Sequence, residues 1–251
     1  MSNLKEDNNI QKYIEKTYNK SASSFHKLVK EKLKNNEKTF IVTANPETLM
    51  IAEKNEEFKK VLLDDKTLIV PDGIGVLKGA KMLGIKMEET ITGVELCSKL
   101  FEYLDETHKS LCLFGAKKEV IERLKEILNN KYPNMQIVGI FDGYIEDKQA
   151  VMEEIIKLKP DVTLVALGIP KQELLIYNNL ENFEKGIFVG VGGSFDVLSG
   201  MKKRAPKIFI KLKLEWLYRI TREPKRLKRF YKSNVRYLKK INELRKNNNN
   251  N

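Results

Sequence analysis

Short apolar runs alternate along the chain with longer segments of helical pattern. The runs are nearly continuous in β-branched and aliphatic residues, as in strands that are buried on both faces of a sheet. Segment 116–132, between two runs, instead repeats apolar residues at helical spacing beside charged ones. We predict an α/β fold with a Rossmann-like, mainly parallel sheet flanked by helices. The predicted strands are 38–44, 67–70, 110–115, 136–141, 161–168 and 186–192.

Charge divides the chain into two parts. The whole chain has 46 basic and 34 acidic residues, a net charge of +12. Segment 202–246 holds 18 of the basic and three of the acidic residues, which leaves 28 basic and 31 acidic residues elsewhere, a net charge of −3. We predict an α/β domain over 1–200 with a polar helical N-terminus (1–37), a basic amphipathic helical appendage (201–246) and a disordered asparagine tail (247–251).

The appendage contains two helical patterns separated near Pro224. A basic amphipathic helix with aromatic residues at its polar boundary suits an anionic membrane surface. Packing against the body and binding of nucleic acid are the alternatives, and the second is disfavoured because the body is net negative. Formation of a homo-oligomer is a further possibility that the sequence does not decide. The apolar faces comprise Phe209, Leu212, Trp216 and Ile220, and then Leu227, Phe230, Tyr231, Val235, Leu238 and Ile241.

Composition excludes several classes of protein. Two cysteines and two histidines provide neither a disulfide framework nor a metal cage, so we expect no metal and no cofactor. No uncharged run is longer than 186–195, which is too short to cross a bilayer, and the first residues lack the apolar stretch of a signal peptide. We therefore expect a cytoplasmic protein that associates peripherally with the inner face of the membrane.

Small and polar residues follow the predicted strands. Ligands of open parallel sheets bind beyond the carboxyl ends of the strands, so these residues are the candidate site. Asp72, between Pro71 and Gly73, suits a general base, with a helix N-cap as the alternative. Side chains that could orient hydroxyl and amide groups, or else cap helices and close turns, are Thr43, Asn45 and Gln172.

The sixth run ends in a glycine-rich loop. Gly192 and Gly193 could bring the backbone close to a phosphate, or they could form a tight turn, and Asp196 follows them. The sequence has no Asp-x-Asp pair to hold a divalent ion on a diphosphate. Cationic side chains or backbone N–H groups would therefore have to stabilise a departing nucleotide diphosphate.

Together these motifs resemble the WecG/TagA/CpsF family of bacterial glycosyltransferases over roughly residues 39–230. The resemblance is carried by TANPE, PDGIGV, TGVEL, ALGIPKQE, GVGGSFDVLSGMKKRAPK and LEWLYRITREPKRLKRF. It implies an inverting, metal-independent transferase that moves a sugar from a UDP-sugar to a polyprenyl-diphosphate-linked sugar. The most similar member type transfers N-acetylmannosamine to N-acetylglucosaminyl-diphospho-undecaprenol for the teichoic acid linkage unit.

The resemblance also assigns residues. It implies that Asp72 is the base, that Thr43, Asn45 and Gln172 line the pocket, and that arginines of the appendage hold a diphosphate. The chain departs from the family pattern at Thr90, where an arginine is common, and at Glu95, where Asp is frequent. Lys86 or an appendage arginine would then replace the missing arginine, or the enzyme would use a different UDP-sugar in polysaccharide or cell-envelope synthesis. The appendage arginines are Arg219, Arg226 and Arg229.

Overall fold

Six parallel strands form one sheet in the computed structural model, which describes residues 9–206, 208–209, 217–218, 221 and 225–249. The strand order is β2-β1-β6-β5-β3-β4, so two neighbouring pairs, β1–β6 and β5–β3, join strands that are not consecutive in the chain. This arrangement confirms the predicted α/β class. The strands are β1 (Thr39–Ala44), β2 (Thr67–Pro71), β3 (Ser110–Gly115), β4 (Gln136–Phe141), β5 (Val162–Ala166) and β6 (Ile187–Gly190).

All six predicted strands are confirmed, but β5 and β6 end earlier than predicted. Residues 167–168 and 191–192 lie in loops instead. The cause is local, because Gly168 (φ +80°) and Gly192 (φ +49°) adopt the left-handed region, which an extended strand excludes. Both turns lie at the carboxyl edge of the sheet.

Helices cover both faces of the sheet. Polar side chains cap several of them, as when Ser21 accepts a hydrogen bond from a first-turn N–H. The helices are α1 (Asn9–Lys16), α2 (Ala22–Lys34), α3 (Pro46–Ala52), α4 (Glu56–Leu63), α5 (Ile74–Met82), α6 (Gly93–Glu106), α7 (Lys118–Lys131), α8 (Lys148–Leu158), α9 (Lys171–Asn179), α10 (Ser194–Leu198) and α11 (Lys225–Asn249).

Each face of the sheet has its own hydrophobic core. Alternate strand residues point to opposite faces, so Phe40 and Val42 enter one core while Ile41 enters the other. The first core also receives α1, in the segment predicted to be polar and helical, through the fully buried Tyr13 and Ile14. The N-terminal helix is thus an integral part of the domain.

Helix α11 packs against the body beside α3, α5 and α1. Tyr237 and Ile241 are fully buried and Leu244 is 4% exposed, so one face of the helix belongs to the first core. Lys240 forms an ion pair with Glu53, in the segment after α3, whose side chain is 7% exposed. The helix also continues to Asn249, through the first three residues of the asparagine run that we expected to be disordered.

Candidate active site

The loops after β1, β2, β5 and β6 meet at the carboxyl edge of the sheet. The register pairs Ala44 with Pro71, and it pairs both Val42 and Val165 with Gly190. The polar residues that follow these positions therefore emerge side by side, at the edge where open parallel sheets bind ligands. The structure brings Thr43, Asn45, Asp72 and Gln172 into the neighbourhood that the sequence predicts.

Asp72 directly follows β2 and is partly exposed. Its backbone N–H donates to the Ala44 carbonyl at 2.8 Å, which extends the β1–β2 pairing by one residue and fixes the main chain. The N-cap position of α5 is occupied by Gly73, whose φ of +87° favours glycine, and not by Asp72. Asp72 thus lies directly after β2, at the ligand-binding edge of the sheet.

Thr43 and Asn45 flank the end of β1, and both side chains are partly exposed. The Thr43 hydroxyl donates to the carbonyl of Gly190 at 3.4 Å and so links β1 to β6. Asn45 is the N-cap of α3, since its Oδ1 accepts from the N–H groups of Glu47 (2.9 Å) and Thr48 (3.1 Å). Its Nδ2 has no protein partner within the described part of the chain and can donate to a ligand.

Gln172 is buried, 2% exposed, and its amide joins two loops. Its Oε1 accepts from the N–H of Gly168 (3.0 Å) after β5 and from the N–H of Gly192 (3.1 Å) after β6. Its Nε2 donates to Oε1 of Glu173 at 2.7 Å. We expected a pocket-lining side chain, but the amide is engaged with the protein itself, so Gln172 acts on the site through the loops that it holds.

Glu173, which the sequence analysis did not single out, lies in the interior at 1% exposure. Burial raises the pKa of its carboxyl to about 7, against the lowering effect of the hydrogen bond from Gln172. Its Oε2 has no partner among the described residues. The motif KQE shows a glutamine and a carboxylate side by side at the start of a helix. Nothing in the sequence indicates that both side chains point into the interior.

The last residue of β6 lies close against Gln172 and Glu173. A Cβ on Gly190 would lie 2.7 Å from Nε2 of Gln172 and 2.8 Å from Oε1 of Glu173, so a larger residue would force the pair to shift. The N–H of Gly192 already binds Gln172 and is not available to a phosphate. Gly193 is the N-cap of α10, and Asp196 lies in the first turn with Lys202 Nζ at 3.9 Å from its Oδ2.

The structure describes only some of the cationic residues that the sequence predicts for the site. Arg219 is outside the described residues, as are Leu212, Trp216 and Ile220 of the predicted apolar face. Arg226 and Arg229 belong to the backbone of α11, but their side chains are outside the described part. In the segment after α5, Thr90 is partly buried and Lys86 is exposed.

The described residues contain no cluster of three or more His, Cys, Asp or Glu residues that could hold a metal ion. No helix in the described part of the chain is both long and apolar enough to cross a membrane.

The fold and the site together define a class of protein. A parallel α/β sheet with a carboxylate, an amide and glycine-rich turns at its carboxyl edge is typical of enzymes that bind nucleotide-linked substrates. The glycosyl transferase WecG/TagA/CpsF family matches residues 15–250, and the chain belongs to this family.

Three curated relatives have one activity in their names. Each is an N-acetylglucosaminyldiphosphoundecaprenol N-acetyl-beta-D-mannosaminyltransferase. The Bacillus spizizenii enzyme is 40% identical over 197 residues, 78% of this chain and 76% of its own. The Bacillus subtilis enzyme is 40% identical over 189 residues (75% and 73%), and a Staphylococcus aureus enzyme is 38% identical over 191 residues (76% and 74%).

Proposed function

We propose that the protein transfers N-acetylmannosamine from its UDP donor to N-acetylglucosaminyl-diphospho-undecaprenol. The observation that carries this proposal is the 38–40% identity to enzymes of that name over three quarters of the chain. The position of Asp72 supports it, because a base is needed at the mouth of the crevice where acceptor and donor meet. The product is the lipid-linked disaccharide from which a teichoic acid linkage unit is built.

Asp72 acts as the general base in this proposal. Its carboxylate takes the proton of an acceptor hydroxyl, and the hydroxyl oxygen forms a bond to the anomeric carbon of the donor. The bond from that carbon to the diphosphate oxygen breaks, and its electron pair leaves with UDP. Attack from the face opposite to UDP inverts the configuration of the anomeric carbon.

The neighbouring groups position the two substrates. Asn45 Nδ2 and the Thr43 hydroxyl can form hydrogen bonds with polar groups of the sugar or the base. Gln172 fixes the loops after β5 and β6, and Gly193 and Asp196 shape the end of the second loop. The departing diphosphate needs positive charge, which we assign to the appendage residues Arg219, Arg226 and Arg229.

Replacement of Asp72 tests the proposed base. We expect Asp72→Asn to lower kcat by about 10²–10⁴-fold, the usual contribution of a positioned base, while the protein folds and binds the UDP-sugar as before. Asp142→Asn is the matched control, because Asp142 also follows a strand, but that strand is β4, the outermost strand on the side opposite to β2. An Asp72→Asn enzyme with the wild-type rate would exclude Asp72 from this role.

We also propose that α11 binds the anionic inner face of the cell membrane. The helix exposes an apolar stripe, defined by Leu227 (52% exposed), Tyr231 (66%), Val235 (44%) and Leu238 (37%), which share one helical face. Lysines and arginines surround the stripe in the sequence. An exposed apolar stripe flanked by cations suits a surface of anionic lipid, where the enzyme would meet its lipid acceptor.

Vesicle sedimentation tests the membrane proposal. The double variant Leu227→Ser/Tyr231→Ser should bind phosphatidylglycerol vesicles more weakly, and binding of the wild type should weaken at high salt. The control variant Tyr144→Ser/Ile145→Ser removes two exposed apolar residues from another surface. Unchanged vesicle binding by the α11 variant would contradict the proposal. A change of oligomeric state without a change in vesicle binding would instead assign the stripe to a second copy of the chain.

A further inference from the structure

A groove of about 590 Å³ runs along α5, the helix that begins two residues after Asp72. Ile74, Leu77 and Lys81 line one wall, and they share a face because they follow one another at helical spacing. Ile74 is only two residues from Asp72, and Lys81 lies seven residues further along α5, a helical rise of about 10 Å. The volume is in the range of small-ligand sites.

The second wall is built by the end of α5. Gly84 has a φ of +74°, and the N–H of Ile85 donates to the Ala80 carbonyl at 2.9 Å, so the chain turns back at the helix end. This turn places Lys86 and Met87 opposite the helix face. Among the described residues, the groove is lined by α5 and by the turn that follows it.

Three lysines surround this groove. Lys78, Lys81 and Lys86 are exposed, and within the described part of the chain none of them makes an ion pair or a hydrogen bond. Other exposed lysines do make ion pairs, as Lys66 does with Glu181 and Lys159 with Glu184. Three uncompensated cations around one concave surface attract a multiply charged anion.

The same groove is apolar between its cations. Ile74, Leu77, Ile85 and Met87 are all partly exposed along its walls. A nucleotide would call for groups that recognise a base and a ribose, whereas this surface combines aliphatic contact with positive charge. An isoprenoid diphosphate has both properties in one molecule.

We propose that this groove, which we name the α5 groove, binds the diphosphate and the first isoprene units of the polyprenyl-linked acceptor. This inference rests on the proposed function. The acceptor sugar then lies at Asp72, the diphosphate is bound by Lys78, Lys81 and Lys86, and the aliphatic residues hold the start of the lipid chain. The appendage arginines remain with the donor diphosphate, so the two diphosphates have separate sites.

Binding of farnesyl diphosphate tests the α5 groove without any transfer reaction. The variant Lys78→Gln/Lys81→Gln/Lys86→Gln should bind it about 10-fold more weakly or worse, through the loss of charge-assisted contacts, while UDP binds as to the wild type. The control Lys117→Gln/Lys118→Gln/Lys131→Gln removes the same charge at α7, on the other face of the sheet. Leu77→Ser should weaken farnesyl diphosphate and leave inorganic pyrophosphate unchanged.

Two results would overturn the inference. One is equal affinity of the groove variant, the control and the wild type for farnesyl diphosphate. The other is loss of UDP affinity in the groove variant, which would assign the lysines to the donor.

Acceptor kinetics separate this inference from the proposed function. The groove variant should show about a 10-fold higher KM for the lipid acceptor with kcat and the donor KM unchanged. If the wild-type protein binds farnesyl diphosphate through these lysines but transfers no sugar, the proposed function is refuted and the groove still stands as a diphosphate site. Normal transfer with unaltered acceptor KM in the groove variant would refute the groove alone.

Discussion

At the scale of single residues, the site depends on a buried pair, Gln172 and Glu173. The pair holds the loops after β5 and β6 through the N–H groups of Gly168 and Gly192. A buried amide with all its strong contacts inside the protein is costly to disturb, because its partners would remain unsatisfied. The geometry of the crevice is thus set by side chains that do not face it.

Glu173 should make stability depend on pH. Its carboxyl has a pKa raised by burial to about 7, so between pH 4.5 and 7 the folded chain keeps a proton that the unfolded chain loses. This contribution to stability is full below pH 4.5 and is lost as the pH rises through 7. Glu173→Gln imitates the protonated form and does not titrate. Its free energy of unfolding, measured with denaturant, should therefore rise relative to the wild type by about 1–3 kcal/mol from pH 5 to pH 8. A difference that is constant with pH would contradict this assignment.

Gly190→Ala should disrupt the same pair. The added Cβ would lie within 2.8 Å of both side chains, so the pair must move, at a cost of about 1–3 kcal/mol. Gly193→Ala is the control, since its Cβ would approach no atom closer than 3.8 Å. Denaturant unfolding of both variants checks the prediction. Equal stabilities would show that the pair tolerates displacement.

Sequence reasoning reached part of this site. Asp72 was identified correctly as a strand-end carboxylate because its neighbours Pro71 and Gly73 mark a turn. The inward direction of Gln172 could not be predicted, since its two partners lie 4 and 20 residues away and only the sheet register brings them together. For Asn45 the sequence predicts either a helix cap or a contact with a ligand. In the structure Oδ1 caps α3, and Nδ2 remains available to a ligand.

At the scale of elements, α5 connects the site to the C-terminal helix. Gly75 and Gly79 allow α3 and α11 to approach it closely, while its outer face forms the α5 groove. The sequence predicted helices in the appendage, but it grouped Val235 and Ile241 on one face. The structure separates them, because Tyr237 and Ile241 pack inward and Val235 stays exposed. Helix α11 has apolar residues on several sides, and periodicity alone does not show which of these sides packs against the body.

Gly79→Ala should weaken the contact between α5 and α11. The added Cβ would lie 2.0 Å from the Tyr237 hydroxyl oxygen, so the helices must separate, at about 1–3 kcal/mol of unfolding free energy. Tyr237→Phe removes that oxygen, which has no partner in the described part of the chain. In a double-mutant cycle the Phe variant should recover part of the loss. Strictly additive effects would contradict the contact.

At the scale of the whole molecule, the carboxyl ends and the amino ends of the strands have different roles. The carboxyl edge holds the candidate site. At the opposite edge, Asp161 accepts hydrogen bonds from Lys185 (2.7 Å), from Ser110 N–H (2.9 Å) and hydroxyl (2.8 Å), and from Lys109 (3.1 Å). This cluster joins the starts of β3, β5 and β6 far from the site, so its contribution is to stability.

Asp161 should govern part of the acid sensitivity of the fold. Burial alone would raise the pKa of its carboxyl, but the hydrogen bonds from Lys185, Ser110 and Lys109 outweigh it and lower the pKa to about 2. This contribution is present above pH 3.8 and is lost as the pH falls towards 2. Asp161→Asn should therefore cost about 1–3 kcal/mol at pH 7 and progressively less below pH 4, as measured by denaturant unfolding. The exposed Asp65→Asn is the control, and a cost independent of pH would contradict the charge-based explanation.

The most direct test of the account is the transfer reaction itself. The purified chain is incubated with UDP-N-acetylmannosamine and a short-chain N-acetylglucosaminyl-diphospho-lipid, and the lipid product and UDP are measured by mass spectrometry. We predict that the acceptor gains one N-acetylhexosamine for each UDP released, and that both products fall together in Asp72→Asn. UDP release without glycosylated lipid, or an unmodified acceptor under conditions where both substrates bind, would contradict the account.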